Sequence, residues 1–219
     1  MVRVLRREPS ALLFATQVGG LLIYPFLEGT AGRALLSLFG ILVLGLAVLT
    51  VRRSAAVTWV AWVLGVPAAA LLLTQAVTDS DALLPYSSGL EAVLYFYAAV
   101  ALMRYILGDH EITRDELFAV GASFTLVAWG FAYVYIVCQA IYPASFTAAV
   151  DPEAPREWIE LLFLSVTTLT STGLSDVIPV RPFARGLVMV EQLAGLAYVA
   201  ILVSRVVGLT VLGRRQDAG

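Results

Sequence analysis

Five hydroxyl side chains, Thr167, Thr168, Thr170, Ser171 and Thr172, fall within six residues, and Gly173 and Asp176 follow closely. Threonine and serine oxygens, with main-chain carbonyls released where a chain must turn, can replace the water around a dehydrated cation. Gly173 opens backbone conformations closed to other residues. Asp176 adds a negative charge at the mouth, and a ring of charge if several copies surround one axis. A monovalent cation held at Ser171, Thr172 and Gly173 is the chemistry this order of residues suits.

Other chemistries lack their residues. The single cysteine, Cys138, rules out an intrachain disulfide and leaves too few thiolates for a zinc site. His110 is the one histidine, so a multi-histidine metal site or a nucleophile–base constellation cannot be assembled. Neither an enzyme nor a cofactor site is expected. All 14 basic residues are arginine against 16 acids, which leaves no basic surface for nucleic acid.

The elements that must position the hydroxyl cluster are membrane helices. Of the 219 residues 60% are hydrophobic and 14% charged, with a mean hydropathy of +0.87. A soluble surface needs about a quarter charged residues, so most of this chain's exterior faces lipid. About 20 apolar residues cross a bilayer as a helix. Charge-free runs at 9–27, 34–51, 54–78 and 117–150 qualify. So do 88–108, with Glu91 and Arg104 near its ends, and 183–212, which contains Glu191 and Arg205. Between the last two, 156–176 is too short and too hydroxyl-rich to cross and reads as re-entrant, which needs cover from protein or a water-filled cavity. Pro67 is expected to kink the third span.

With six crossings, Arg3, Arg6, Arg7, Arg52, Arg53, Arg104, Arg114, Arg214 and Arg215 fall on one side. The other side mixes four arginines with Glu28, Asp79, Asp81, Asp151, Glu153 and Asp176. The positive-inside bias puts both termini in the cytoplasm. The polar break 109–116 separates two halves. No internal repeat is visible, which weighs against an inverted-repeat transporter.

The run T-L-T-S-T-G-L-S-D-V-I-P-V (168–180) resembles the pore signature of tetrameric potassium channels, T-x-T-T-V-G-Y-G-D-x-x-P, keeping Thr168, Thr170, Gly173, Asp176 and Pro179 in register. Residues 117–142 are similar to the family's outer helix, 158–166 to its pore helix, and the helix after Pro182 to the inner helix of bacterial two-pore-type and six-helix members. The resemblance implies an all-α polytopic membrane protein with a four-span domain over 1–108 and a cytoplasmic linker at 109–116. A pore domain over 117–213 and a short cytoplasmic tail at 214–219 would complete it. The pore domain divides into outer helix 117–142, pore helix and filter 156–176, and inner helix 183–212. It further implies a homotetramer in the plasma membrane, with Thr170, Ser171, Thr172, Gly173, Leu174, Ser175 and Asp176 lining the ion path.

The filter itself departs from the family. T-V-G-Y-G becomes Ser171-Thr172-Gly173-Leu174-Ser175. Ser171 keeps a hydroxyl for the lowest site, while the Thr172 hydroxyl either faces the pore or competes for backbone. Leu174 lacks the bracing hydroxyl of the family's tyrosine. Ser175 replaces the second glycine, where positive φ is expected to cost an L-residue about 1 kcal/mol. Potassium conduction is what the resemblance implies, and a weakly selective potassium and sodium pathway is what the residues themselves suggest. A non-conducting scaffold or partner subunit is the alternative, and a secondary transporter a further one.

Other residues carry two readings each. Glu191 is a strut behind the filter or a charge facing the cavity, or else a hydrogen-bonded packing acid, with Glu160 as a possible neighbour. Gly195 matches the family's hinge glycine or marks close helix packing. Arg104 and Arg205 read as interfacial anchors, and with one arginine the fourth span cannot be a conventional voltage sensor. Trp158, Tyr105 and Tyr142 suit an interfacial aromatic belt. His110 reads as a solvated linker residue rather than a proton sensor.

Overall fold

The computed structural model describes residues 9–26, 39, 42, 43, 45, 46, 58–78, 81–108 and 114–217. Most of the second expected span, 34–51, lies outside the described residues, as do the N-terminal arginines and His110. The described helices are α1 (Pro9–Ile23), α2 (Thr58–Thr78), α3 (Leu84–Ile106), α4 (Arg114–Ile141), α5 (Trp158–Leu169) and α6 (Pro182–Asp217). Two short strands, β1 (Phe146–Thr147) and β2 (Ile178–Pro179), pair antiparallel. Helices α3, α4 and the 182–205 part of α6 are long and apolar enough to cross a membrane; α1, α5 and the 59–75 part of α2 are shorter apolar helices. The fold is all-α and polytopic.

Local chemistry sets the helix limits. Asp115 and Glu116 occupy the first turn of α4, where carboxylates meet the positive end of the helix dipole. α4 thus includes Arg114, Asp115 and Glu116 of the expected linker. The backbone N–H of Glu157 donates to Glu160 Oε2 at 2.6 Å, fixing the first turn of α5. Pro67 lies within α2, which continues past it to Thr78.

Polar contacts fix which helix ends meet. The N–H and hydroxyl of Ser10 donate to the Asp115 carboxylate at 3.1 and 3.0 Å. Arg205 pairs with Glu116 at 3.0 Å. The starts of α1 and α4 and the far part of α6 therefore share one end of the bundle. At the opposite end, β1 and β2 tie the loop after α4 to the segment after α5, with Phe146 opposite Pro179 and Thr147 opposite Ile178. Arg156 organises that loop: its guanidinium donates to the carbonyls of Val150 (3.2 Å), Ala154 (3.0 and 2.7 Å) and Asp151, and pairs with Glu160 at 3.2 Å.

The most extensive packing joins α3 and α4. Ala98, Ala99 and Ala101 are buried on α3, and Ala119, Ala122, Ala128 and Ala132 on α4. Small residues let helix backbones approach closely in lipid, where dispersion rather than water exclusion holds helices together. A second core, containing Tyr135, Leu161, Leu164, Val177 and Val188, joins α4, α5 and α6.

Candidate functional site

The hydroxyl cluster stands at the C-terminal end of α5. Thr170 caps the helix, and Ser171 then turns into the left-handed region at φ 58°. Two backbone bonds close the turn: Ser171 N–H to the Thr168 carbonyl at 2.9 Å and Thr172 N–H to the Thr167 carbonyl at 2.9 Å. This is a Schellman cap. Gly173, also at positive φ (65°), sends its N–H to the same Thr167 carbonyl at 3.1 Å.

The cap corrects one expectation. Ser175 is not at positive φ; the serine that carries left-handed backbone is Ser171, because the cap needs that conformation at its first non-helical residue. Ser175 instead accepts the Val177 N–H on its hydroxyl oxygen at 3.0 Å. Of the two readings of Thr172, its hydroxyl takes the backbone: it lies 3.3 Å from the Thr167 carbonyl and 3.1 Å from the Thr170 hydroxyl.

These bonds run in one direction. N–H and hydroxyl groups of 170–173 donate back to the carbonyls of Val166, Thr167 and Thr168. Among the described residues, no carbonyl of Thr170 through Asp176 accepts a hydrogen bond. Thr170, Ser171, Thr172, Gly173, Leu174 and Asp176 are exposed on the single chain, and Leu174 is 77% exposed. The N–H groups of 170–173 thus turn inward, and the carbonyl oxygens of 170–176 stay uncommitted.

Behind α5, α6 presents a narrow buried stripe of Ala184, Val188, Glu191, Gly195 and Tyr198, spaced by three or four residues. Glu191 is fully buried and is hydrogen-bonded by the hydroxyls of Tyr135 on α4 and Ser165 on α5. Ser165 also reaches the Ala128 carbonyl at 2.8 Å. Glu191 therefore joins three helices and does not face open space. Its neighbours are not Glu160, which is used one and a half turns earlier on the first turn of α5 and by Arg156. One turn beyond Glu191, a Cβ on Gly195 would drive into the backbone of Leu169, within 3.0 Å of its Cα and closer still to its carbonyl. Close packing accounts for this glycine.

Three further residues make contacts that the sequence does not announce. Arg205, expected as an interfacial anchor, forms a buried ion pair with Glu116, the two side chains 10% and 3% exposed. Trp158, expected in an aromatic belt, packs against Tyr24, Trp129 and Tyr133 with its indole nitrogen buried. Tyr198, unremarked in the sequence, donates to the Val120 carbonyl at 2.6 Å and meets the Ser123 hydroxyl at 2.7 Å. With the Arg205 and Glu191 contacts it forms a ladder that fastens α6 antiparallel to α4. An isolated tyrosine in an apolar helix was the available signal.

Helix, capped oxygen-rich turn and second helix define a class, and comparison with known proteins agrees. A family model described as an ion channel matches residues 122–211, which contain most of α4, all of α5, the capped turn and most of α6. Protein LctB of Bacillus caldotenax is 30% identical over 106 residues, and Protein LctB of Geobacillus stearothermophilus 32% over 105. Each alignment covers 47% of this chain and 78% of the relative. The chain belongs to the potassium-channel-like ion channel family. No solved structure matches it significantly.

Proposed function

We propose that this chain is the pore-forming subunit of a homotetrameric cation channel, passing potassium, or potassium and sodium with weak preference, down the electrochemical gradient. The observation that carries the reading is the one-way hydrogen bonding of the capped turn. A cation shedding water needs oxygens that nothing else claims, and the carbonyls of 170–176 are of that kind. Thr170, Ser171, Thr172, Gly173, Leu174 and Ser175 form the filter, a monovalent cation sits at Ser171, Thr172 and Gly173, and Asp176 gathers cations at the mouth. One copy supplies one wall. The faces of α6 on either side of its buried stripe, with Met189, Val190, Leu193, Leu196, Val199 and Val203 exposed, supply apolar surface for neighbouring copies and lipid.

Residues 117–213 form the pore domain in this reading and 1–108 a peripheral membrane domain. The end of the bundle with Ser10, Asp115 and Arg205 faces the cytoplasm of a plasma-membrane protein, with both chain termini on that side. Glu191 and Gly195 hold the filter from behind through α5.

Purified protein in liposomes tests the proposal. Cation flux that falls in Asp176→Asn, with the tetramer intact by size, supports it. A tetramer silent to potassium and sodium at every voltage leaves the scaffold reading instead.

A further inference from the structure

The loop between α4 and α5 holds the capped turn from both sides, and one side chain joins the two holds. Arg156, two residues before α5, has a side chain only 3% exposed. Its three nitrogens make contacts with four different residues. Nε and one terminal nitrogen reach the Ala154 carbonyl at 3.0 and 2.7 Å, and that terminal nitrogen also reaches Asp151. The other terminal nitrogen reaches the Val150 carbonyl and the Glu160 carboxylate, each at 3.2 Å. Glu160 lies in the first turn of α5.

The main chain of Arg156 is held as well. Its N–H donates to Gln139 Oε1 at 3.0 Å, and its carbonyl accepts from Gln139 Nε2 at 2.8 Å. Gln139 belongs to the last turn of α4. The entry to α5 is thus fixed to α4 by an amide that pairs with one peptide unit on both sides.

The same loop reaches the chain that leaves the turn. Thr147 on β1 donates its hydroxyl to the Pro152 carbonyl at 3.0 Å, inside the stretch that Arg156 gathers. Thr147 stands opposite Ile178 and Phe146 opposite Pro179, and the Val180 N–H donates to the Ser145 carbonyl at 2.9 Å. Ile178 comes two residues after Asp176. The turn therefore enters from α5, whose start Arg156 fixes, and leaves through β2, which the loop ordered by Arg156 fixes. Between these anchors the carbonyls of 170–176 are bound to nothing, so the anchors decide where they stand.

We propose that Arg156 is a positioning residue for the filter, setting the place of the Ser171, Thr172 and Gly173 oxygens through Glu160 and Gln139 on one side and the β1–β2 pair on the other. That the turn is a filter rests on the function proposed above; the mechanical tie does not. Lysine cannot replace Arg156, because a single ammonium does not span acceptors that a planar fork reaches together.

The test combines hydrogen exchange and cation flux on the full chain in liposomes. In Arg156→Lys the amides of Ser171, Thr172 and Gly173 should exchange about fivefold faster, the change that loss of one hydrogen bond brings. The potassium-to-sodium permeability ratio should shift by about twofold or more. Thr147→Val cuts the path beyond Arg156 and leaves the guanidinium contacts in place, so it should move both readings the same way. The double variant should add little to Arg156→Lys, since both act along one path. Glu153→Gln, at an exposed loop position outside the path, should match wild type. A folded Arg156→Lys that melts earlier yet keeps wild-type exchange at 171–173, or keeps the wild-type permeability ratio, overturns the proposal, as do strictly additive effects. Should Arg156→Lys fail to fold, Thr147→Val decides by the same two readings. A wild type that passes no cation removes the proposed function instead, and exchange alone then judges the tie.

Discussion

Gly195 of α6 stands against the backbone of Leu169, the last residue of α5, leaving no room for even a methyl group. One turn back along both helices, Glu191 is bonded to Ser165. The two contacts set α5 and α6 side by side, running in the same direction, and hold the capped turn at a fixed height on α6.

Gly195→Ala should therefore damage the fold, not merely the motion of α6. Overpacking in a rigid core costs about 1–3 kcal/mol, and here the obstacle is backbone, which cannot rotate away. Gly186→Ala is the control, since nothing lies within 4 Å of the added carbon. Thermal unfolding in detergent should show a clear loss for the first and little change for the second. Equal stability of both would mean that α6 is free to shift from α5.

The left-handed backbone that the motif assigns to position 175 is found at Ser171. Ser171→Gly should preserve stability or raise it by up to about 1 kcal/mol, because glycine adopts the left-handed cap without strain. Ser175→Gly should not, as Ser175 has no such backbone to relieve and gives up its bond to the Val177 N–H. Paired melting curves check the order. A stabilising Ser175→Gly beside a neutral Ser171→Gly would contradict the observed cap.

Glu191→Ala leaves the buried Tyr135 hydroxyl without its acceptor, at about 1–3 kcal/mol, while Ser165 keeps the Ala128 carbonyl. Glu191→Gln should cost far less: its carbonyl accepts from Tyr135, and its amide donates to Ser165, whose own proton serves Ala128. Unfolding of the two variants, each with and without Tyr135→Phe, measures this. Equal damage from glutamine and alanine would show that the charge, not the bonding pattern, holds the three helices.

At the other end, Arg205→Ala removes one half of a buried ion pair with Glu116 and should lower the melting temperature. Replacing both partners by leucine should recover most of that loss. A single variant as stable as wild type would place the pair in water.

The half of the fold from α4 onward is legible in the sequence because its determinants are local. Apolar runs mark α4 and α6, and the threonine cluster, Gly173 and the D-x-x-P exit mark the end of α5. What the sequence hides is set at long range. Glu116 and Arg205 are 89 residues apart, and nothing local to either announces the other. Trp158 has the composition of an interfacial residue, yet Tyr24, Trp129 and Tyr133 enclose it. The left-handed residue at the capped turn is misplaced by motif alignment because hydrogen bonds to Thr167 and Thr168, rather than residue type, decide which residue ends the helix.

The most direct measurement is anomalous diffraction from crystals of the assembled protein soaked in thallium or rubidium. Density on a fourfold axis, level with the carbonyls of Ser171, Thr172 and Gly173, is the predicted result. An assembly without that axis, or an axis empty of ions with those carbonyls turned away from it, would contradict the account.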